Sequence, residues 1–71
     1  MGLANDLEVL IARMPGMTES QLAKMMYGND GYQQKVNSAC RQLVHAGRVE
    51  RRGKGYALDP FTYYRLQQPG N

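Results

Sequence analysis

Two short stretches hold the residues of this chain that are able to recognise a ligand. Gln33, Gln34, Lys35, Asn37, Ser38 and Arg41 fall within nine positions, and Arg51, Arg52 and Lys54 fall within four, beside Gly53 and Gly55. The planar amide of Gln or Asn pairs bidentately with adenine, and the Arg guanidinium does so with guanine. Ser38 can reach a base or a phosphate, and Lys35 suits a phosphate. In the second stretch, glycine lets a loop backbone approach a phosphate closely. Arginine there can respond to the width and potential of a minor groove. The chemistry on offer is recognition of a polyanion, not the making or breaking of bonds.

Catalysis and metal binding lack their residues. There is no carboxylate pair sharing a cleft, no nucleophile–base pair and no phosphate-binding loop of P-loop form. Cys40 is the single cysteine and His45 the single histidine. A structural zinc site takes four ligands, and one cysteine forms no internal disulfide. The reading is of a protein that is not an enzyme, with no catalytic residues, no metal, no cofactor and no small-molecule substrate. No apolar run approaches the roughly 18 residues of a membrane span. The N-terminal stretch carries no basic residue ahead of an apolar one, unlike a secretory signal. A cytoplasmic, DNA-associated protein is expected.

The placement of charge says more than its total of +3. Residues 1–31 hold two basic and four acidic side chains, a net of −2. Residues 32–58 hold six basic side chains against Glu50 alone, a net of +5, and residues 59–71 are neutral. A basic middle segment behind a mildly acidic start is the footprint of a polyanion binder.

The elements that must position these residues can be read from periodicity. Leu7, Leu10, Ile11 and Met14 recur at helical spacing, so a first helix is expected over about Asp6–Met14. An Asn5–Glu8 capping pair would start it and Pro15-Gly16 would end it. A second helix runs over about Glu19–Tyr27. Thr18 and Gln21 form its capping box, Met17 and Leu22 a hydrophobic staple, Leu22, Met25 and Met26 its buried stripe, and Gly28 its stop. Asp30, in the turn Asn29-Asp30-Gly31, can cap a third helix over about Tyr32–Ala46. Val36, Ala39, Cys40, Leu43 and Val44 form the buried face of that helix, and Gly47 closes it. Opposite this face lie Gln34, Ser38, Arg41 and His45, and no acidic residue occurs from Tyr32 to Arg48. Arg48 suits the last helical turn, where a cation complements the dipole.

After Gly47 the pattern turns strand-like. Val49–Arg52 can pair with Tyr56–Leu58 across a tight turn, or with Phe61–Arg65 across a longer loop, Gly53–Pro60. The aromatic residues of the second segment favour the longer loop. The chain reads as a single domain over residues 1–71, with its core at about 5–66 and a frayed tail at 67–71.

The order helix, capped helix, turn, helix, glycine, basic strand, Gly-rich loop, strand resembles the winged helix-turn-helix family. The resemblance is carried by Leu22-Ala23 in the second helix and by the run from Leu43-Val44 through Gly47, Val49 and Arg51 to Gly53. It covers about residues 5–66. It implies an α+β fold, with a three-helix core followed by a β-hairpin wing. It also implies a double-stranded DNA partner, with the third helix in the major groove and the 51–56 wing on backbone or minor groove. Gln33, Gln34, Lys35, Asn37, Ser38, Arg41, Arg51, Arg52 and Lys54 would carry the binding. The expected role is transcription regulation or DNA targeting within a homodimer or larger assembly. The family also contains protein-docking and RNA-binding members, and these stay open as alternatives.

Overall fold

The computed structural model describes residues 2–29 and 31–66. Three helices and three short strands follow one another as α1 (Leu3–Arg13), β1 (Met17–Thr18), α2 (Glu19–Tyr27), α3 (Gln33–His45), β2 (Val49–Arg52) and β3 (Thr62–Arg65). The fold is α+β, three helices packed with one antiparallel sheet of order β1-β3-β2. The proposed cap Asp30 and the tail 67–71 lie outside the described residues.

The second helix follows its sequence signals closely. Thr18 Oγ1 accepts from the Gln21 backbone N–H at 3.2 Å, and Gln21 Oε1 accepts from the Thr18 N–H at 2.9 Å, a complete capping box. Its buried side chains are Leu22 and Ala23, with Met26 partly buried. The stripe is therefore centred between Leu22 and Ala23, which turns Met25 outward to 54% exposure. Met14 is also exposed, because it is the C-cap beyond the last helical turn and leaves the Leu7–Ile11 line.

The first helix starts earlier than expected and without a side-chain cap. Gly2, in extended conformation, precedes it, and the Asn5–Glu8 pair does not cap it. Glu8 is occupied elsewhere. Its carboxylate is buried and accepts from Arg48 Nε at 3.1 Å to each oxygen, from Arg48 Nη2 at 3.0 Å and from Arg65 Nε at 3.0 Å. Arg48 is thus drawn to α1 instead of stabilising the end of α3. One carboxylate ties the middle of α1 to the turn after α3 and to the end of β3.

The hairpin closes through the longer loop. Val49 pairs with Arg65, Glu50 with Tyr64, Arg51 with Tyr63 and Arg52 with Thr62. Tyr56 forms only an isolated bridge to Asp59, so Tyr56–Leu58 is not a strand. The structure adds β1, which pairs Met17 with Tyr63 and Thr18 with Thr62 on the other side of β3. Two residues are too few to produce an alternating pattern. Among the described residues, ten buried side chains make the core: Leu7, Ile11, Leu22, Ala23, Val36, Ala39, Cys40, Leu43, Val49 and Tyr63. They come from all three helices and from β2 and β3, so helices and sheet share one interior.

The clamp predicts a stability effect and its pH dependence. Both arginines are half-exposed, so water screens the charges, while Glu8 itself cannot rehydrate. Glu8→Gln should lower stability by about 2 kcal/mol, a fall of roughly 10 °C in Tm for a domain of this size. The hydrogen bond from Arg48 holds the Glu8 carboxyl below its ordinary 4.5, against burial, which acts the other way. A lowered carboxylate pKa contributes stability that is complete above the unfolded value and disappears as pH falls through the folded one. Wild-type stability should therefore fall faster than that of Glu8→Gln as pH drops below 4.5, measured by urea denaturation across an acid series.

Candidate nucleic-acid interface

Helix α3 divides cleanly by face. Val36, Ala39, Cys40 and Leu43 are buried; Gln33, Gln34, Lys35, Ser38, Arg41, Gln42 and His45 are exposed; Asn37 lies between. Cys40 is part of the core, and burial pushes its thiol up to about 12. The exposed residues spread over two flanks. On one, Gln34, Lys35, Ser38 and Gln42 border a depression against Gly2, Leu3 and Ala4 of the α1 start. On the other, Arg41, Val44 and His45 share a depression with Arg51 of β2.

Gln33, at the start of α3, faces the loop that joins β2 to β3. It lines a groove of about 330 Å³ with Gly55, Tyr56, Ala57, Pro60 and Phe61 of that loop and with Thr18, Glu19 and Ser20 at the start of α2. The loop is folded back on itself. The Asp59 carbonyl accepts from the N–H groups of Lys54 and Gly55 at 3.1 and 2.9 Å. Gly53 and Gly55 both have positive φ, +99° and +90°. A Cβ at Gly53 would overlap the Pro60 carbonyl, and one at Gly55 would overlap the Phe61 ring. Glycine is required here by backbone conformation and by close packing together.

The structure separates the basic residues of the second stretch. Adjacent strand residues point to opposite faces of a sheet. Arg51 lies on the face toward α3, with its guanidinium 4.1 Å from the centre of the Phe61 ring. Arg52 lies on the other face, 4.0 Å from the centre of the Tyr64 ring and 3.2 Å from Glu50. Lys54 is exposed in the loop. On α3, Lys35 stands 5.8 Å over Tyr32, whose ring packs on Tyr27. Of the six cations in residues 32–58, Arg48 and Arg52 are in ion pairs. Lys35, Arg41, Arg51 and Lys54 have no such pairing among the described residues. Lys35 and Arg41 stand on α3 with Gln33, Gln34 and Ser38, Arg51 borders the α3 depression from β2, and Lys54 is exposed in the loop.

Asn37 is placed differently. Its Nδ2 donates to Glu19 Oε2 at 2.8 Å, and the buried Tyr63 hydroxyl donates to the same oxygen at 2.6 Å. Burial, followed by this bond to a carboxylate, pushes the Tyr63 pKa up. Asn37 therefore links α3 to the start of α2 through its amide nitrogen. Glu19 is the site residue that sequence reasoning missed. Its partners lie 18 and 44 positions away, and no local pattern marks it. Among the described residues, no group of three or more His, Cys, Asp or Glu side chains is placed to hold a metal ion. No helix of the described residues is long and apolar enough to cross a membrane.

No protein-family model matches the chain, and no curated protein or solved structure shows significant similarity to it.

The Glu19 junction predicts that Tyr63→Phe, which keeps the ring and removes only the hydroxyl, costs about 2 kcal/mol. Denaturant unfolding should report this as a lower midpoint at unchanged slope, the sign of lost stability without altered compactness.

Proposed function

We propose that this chain is a winged helix-turn-helix module that binds double-stranded DNA and has no catalytic chemistry of its own. The observation that carries the reading is the meeting of two elements at one cationic depression, whose lining holds no carboxylate. Arg41 of α3 and Arg51 of β2 border the same depression, and α3 presents no acidic side chain along its length. The sequence of elements and the β1-β3-β2 sheet are compatible with a winged helix, in which α3 is the recognition helix and the loop between β2 and β3 is the wing.

A helix about 10–12 Å across suits the major groove, which is about 12 Å wide. Gln34, Ser38 and Arg41 follow the crest of α3 between its two flanking depressions over about 10 Å, the height of roughly three base pairs. In the proposed mode they meet base edges, with Gln33 and Asn37 at the margin. The Glu19 bond fixes the Asn37 amide, leaving its carbonyl oxygen as the group able to face a base. Lys35 takes a phosphate on one flank, and Arg51 and Lys54 take phosphates on the other. Arg52, on the opposite sheet face and paired with Glu50, contributes least. A regulator of transcription, or the DNA-targeting part of a larger assembly, would use such a surface.

Labelled duplex DNA, duplex RNA and single strands, each titrated at two salt concentrations, test the proposal. Duplex DNA should bind best, with log K falling linearly in log salt. The phosphate contacts of Lys35, Arg51 and Lys54 give a slope of about −2.7. Lys35→Ala and Lys54→Ala should each weaken all sequences alike and reduce that slope by about one. Arg41→Ala should instead relax sequence preference, by about 1–3 kcal/mol at one base pair. Absence of duplex binding at low salt would refute the proposal. Tighter binding of duplex RNA would move the reading to RNA, and loss of all nucleic-acid binding would move it to a protein partner.

A further inference from the structure

Leu58 is 96% exposed. It does not hang on a loose segment. The Asp59 N–H donates to the Tyr56 carbonyl at 2.8 Å, which closes a four-residue turn with Ala57 and Leu58 at its tip. The Asp59 carbonyl in turn holds the N–H groups of Lys54 and Gly55, and the two glycines let the loop pack against Pro60 and Phe61. A single exposed leucine is ordinary on a protein surface. A hydrogen-bonded turn that lifts one clear of the fold, with Tyr56 57% exposed beside it, is a built apolar tip. Asp59 closes the turn, and two cations stand around it, Lys54 at its base and Arg51 on the strand behind. The same loop borders the groove that Gln33 of α3 enters, so the tip stands beside the outward surface of α3.

We propose that Leu58 is a wedge that enters the minor groove of bound duplex DNA and partly unstacks one base step. The inference rests on the DNA-binding reading above. Apolar side chains inserted between base steps kink the duplex toward the major groove, the groove proposed for α3. Lys54 and Arg51 meet the phosphates bordering the insertion, and the Tyr56 ring packs along a sugar. The cost of unstacking falls on the sequence being deformed, so flexible pyrimidine–purine steps are favoured over stiff A-tracts. Specificity then comes partly from a position that no polar side chain reads.

The test compares wild type, Leu58→Ala and Leu58→Phe on duplexes of about 25 base pairs, a length short against the DNA persistence length. The duplexes carry dyes at both ends and contain either TA steps or an A-tract. Leu58 is almost fully solvated, so all three proteins should melt at the same temperature. Wild type should shorten the end-to-end distance of the TA duplex by a bend within the range of about 20–90°. It should also prefer that duplex to the A-tract. Leu58→Ala should leave the duplex nearly straight, lose the preference and bind about tenfold more weakly, while Leu58→Phe retains the bend. If wild type binds without bending, or Leu58→Ala bends DNA as wild type does, the wedge is refuted and DNA binding stands. If wild type binds neither duplex, the DNA reading fails with it, and the wild-type titration alone reveals this. Unchanged DNA affinity and bending in Leu58→Ala, together with lost self-association, would assign the tip to a second copy of the chain instead.

Discussion

Tyr63 lies in the middle strand, with β1 on one side and β2 on the other, and it heads the large side chains fully withdrawn from water. A phenol in that position must find an acceptor for its hydroxyl, because an unpaired buried donor loses its hydration without return. Glu19 supplies the acceptor from the first turn of α2, and the same oxygen receives the Asn37 amide from α3. Satisfying one buried hydroxyl therefore fixes the starts of two helices against the sheet. The polar surface of α3 is aimed by the core beneath it, and the loop beyond β2 hangs from the strand that Tyr63 anchors.

The charge of the chain divides between two tasks. Glu8 gathers Arg48 and Arg65 to hold α1 against the sheet end, and Glu50 takes Arg52 to the face away from α3. The basic segment counted along the sequence is therefore broader than the cationic surface it creates in space. The surface that remains is narrower and better defined. It consists of a few unpaired cations around a helix of amides and a hydroxyl, with aromatic rings supporting Arg51 and Lys35 from behind.

Much of the fold was legible because its signals are local. The capping box at Thr18–Gln21 formed, the periodic face of α3 became core, and the choice of the longer loop followed from the aromatic and β-branched content of residues 61–64. The misreadings were set by distant partners. Asn5–Glu8 has the same form as a capping pair, yet Glu8 serves arginines 40 and 57 positions away. The two-residue strand β1 exists because β3 offers it an edge, not because Met17-Thr18 alternates. For the site, residue types and the absence of acids along α3 were readable. That Arg51 and Arg52 part to opposite faces follows from strand alternation only once the register is known. Asn37 was read as a base-contacting residue, and its tie to Glu19 depends on how α2 and α3 pack.

The middle strand of the sheet is the last element of the described residues. Strands usually find a neighbour already in place as they emerge, but here β1 and β2 both wait, unpaired, until residues 62–65 arrive. The helices can form early from local contacts, whereas the sheet needs a pairing that spans most of the sequence, and such closures are slow. During synthesis, the segment from α1 through β2 must leave the ribosome without the tyrosine that completes its interior. The hydroxyl of that tyrosine also ties α2 to α3. The orientation of α3 against α2 and the finished core are therefore completed in the same step.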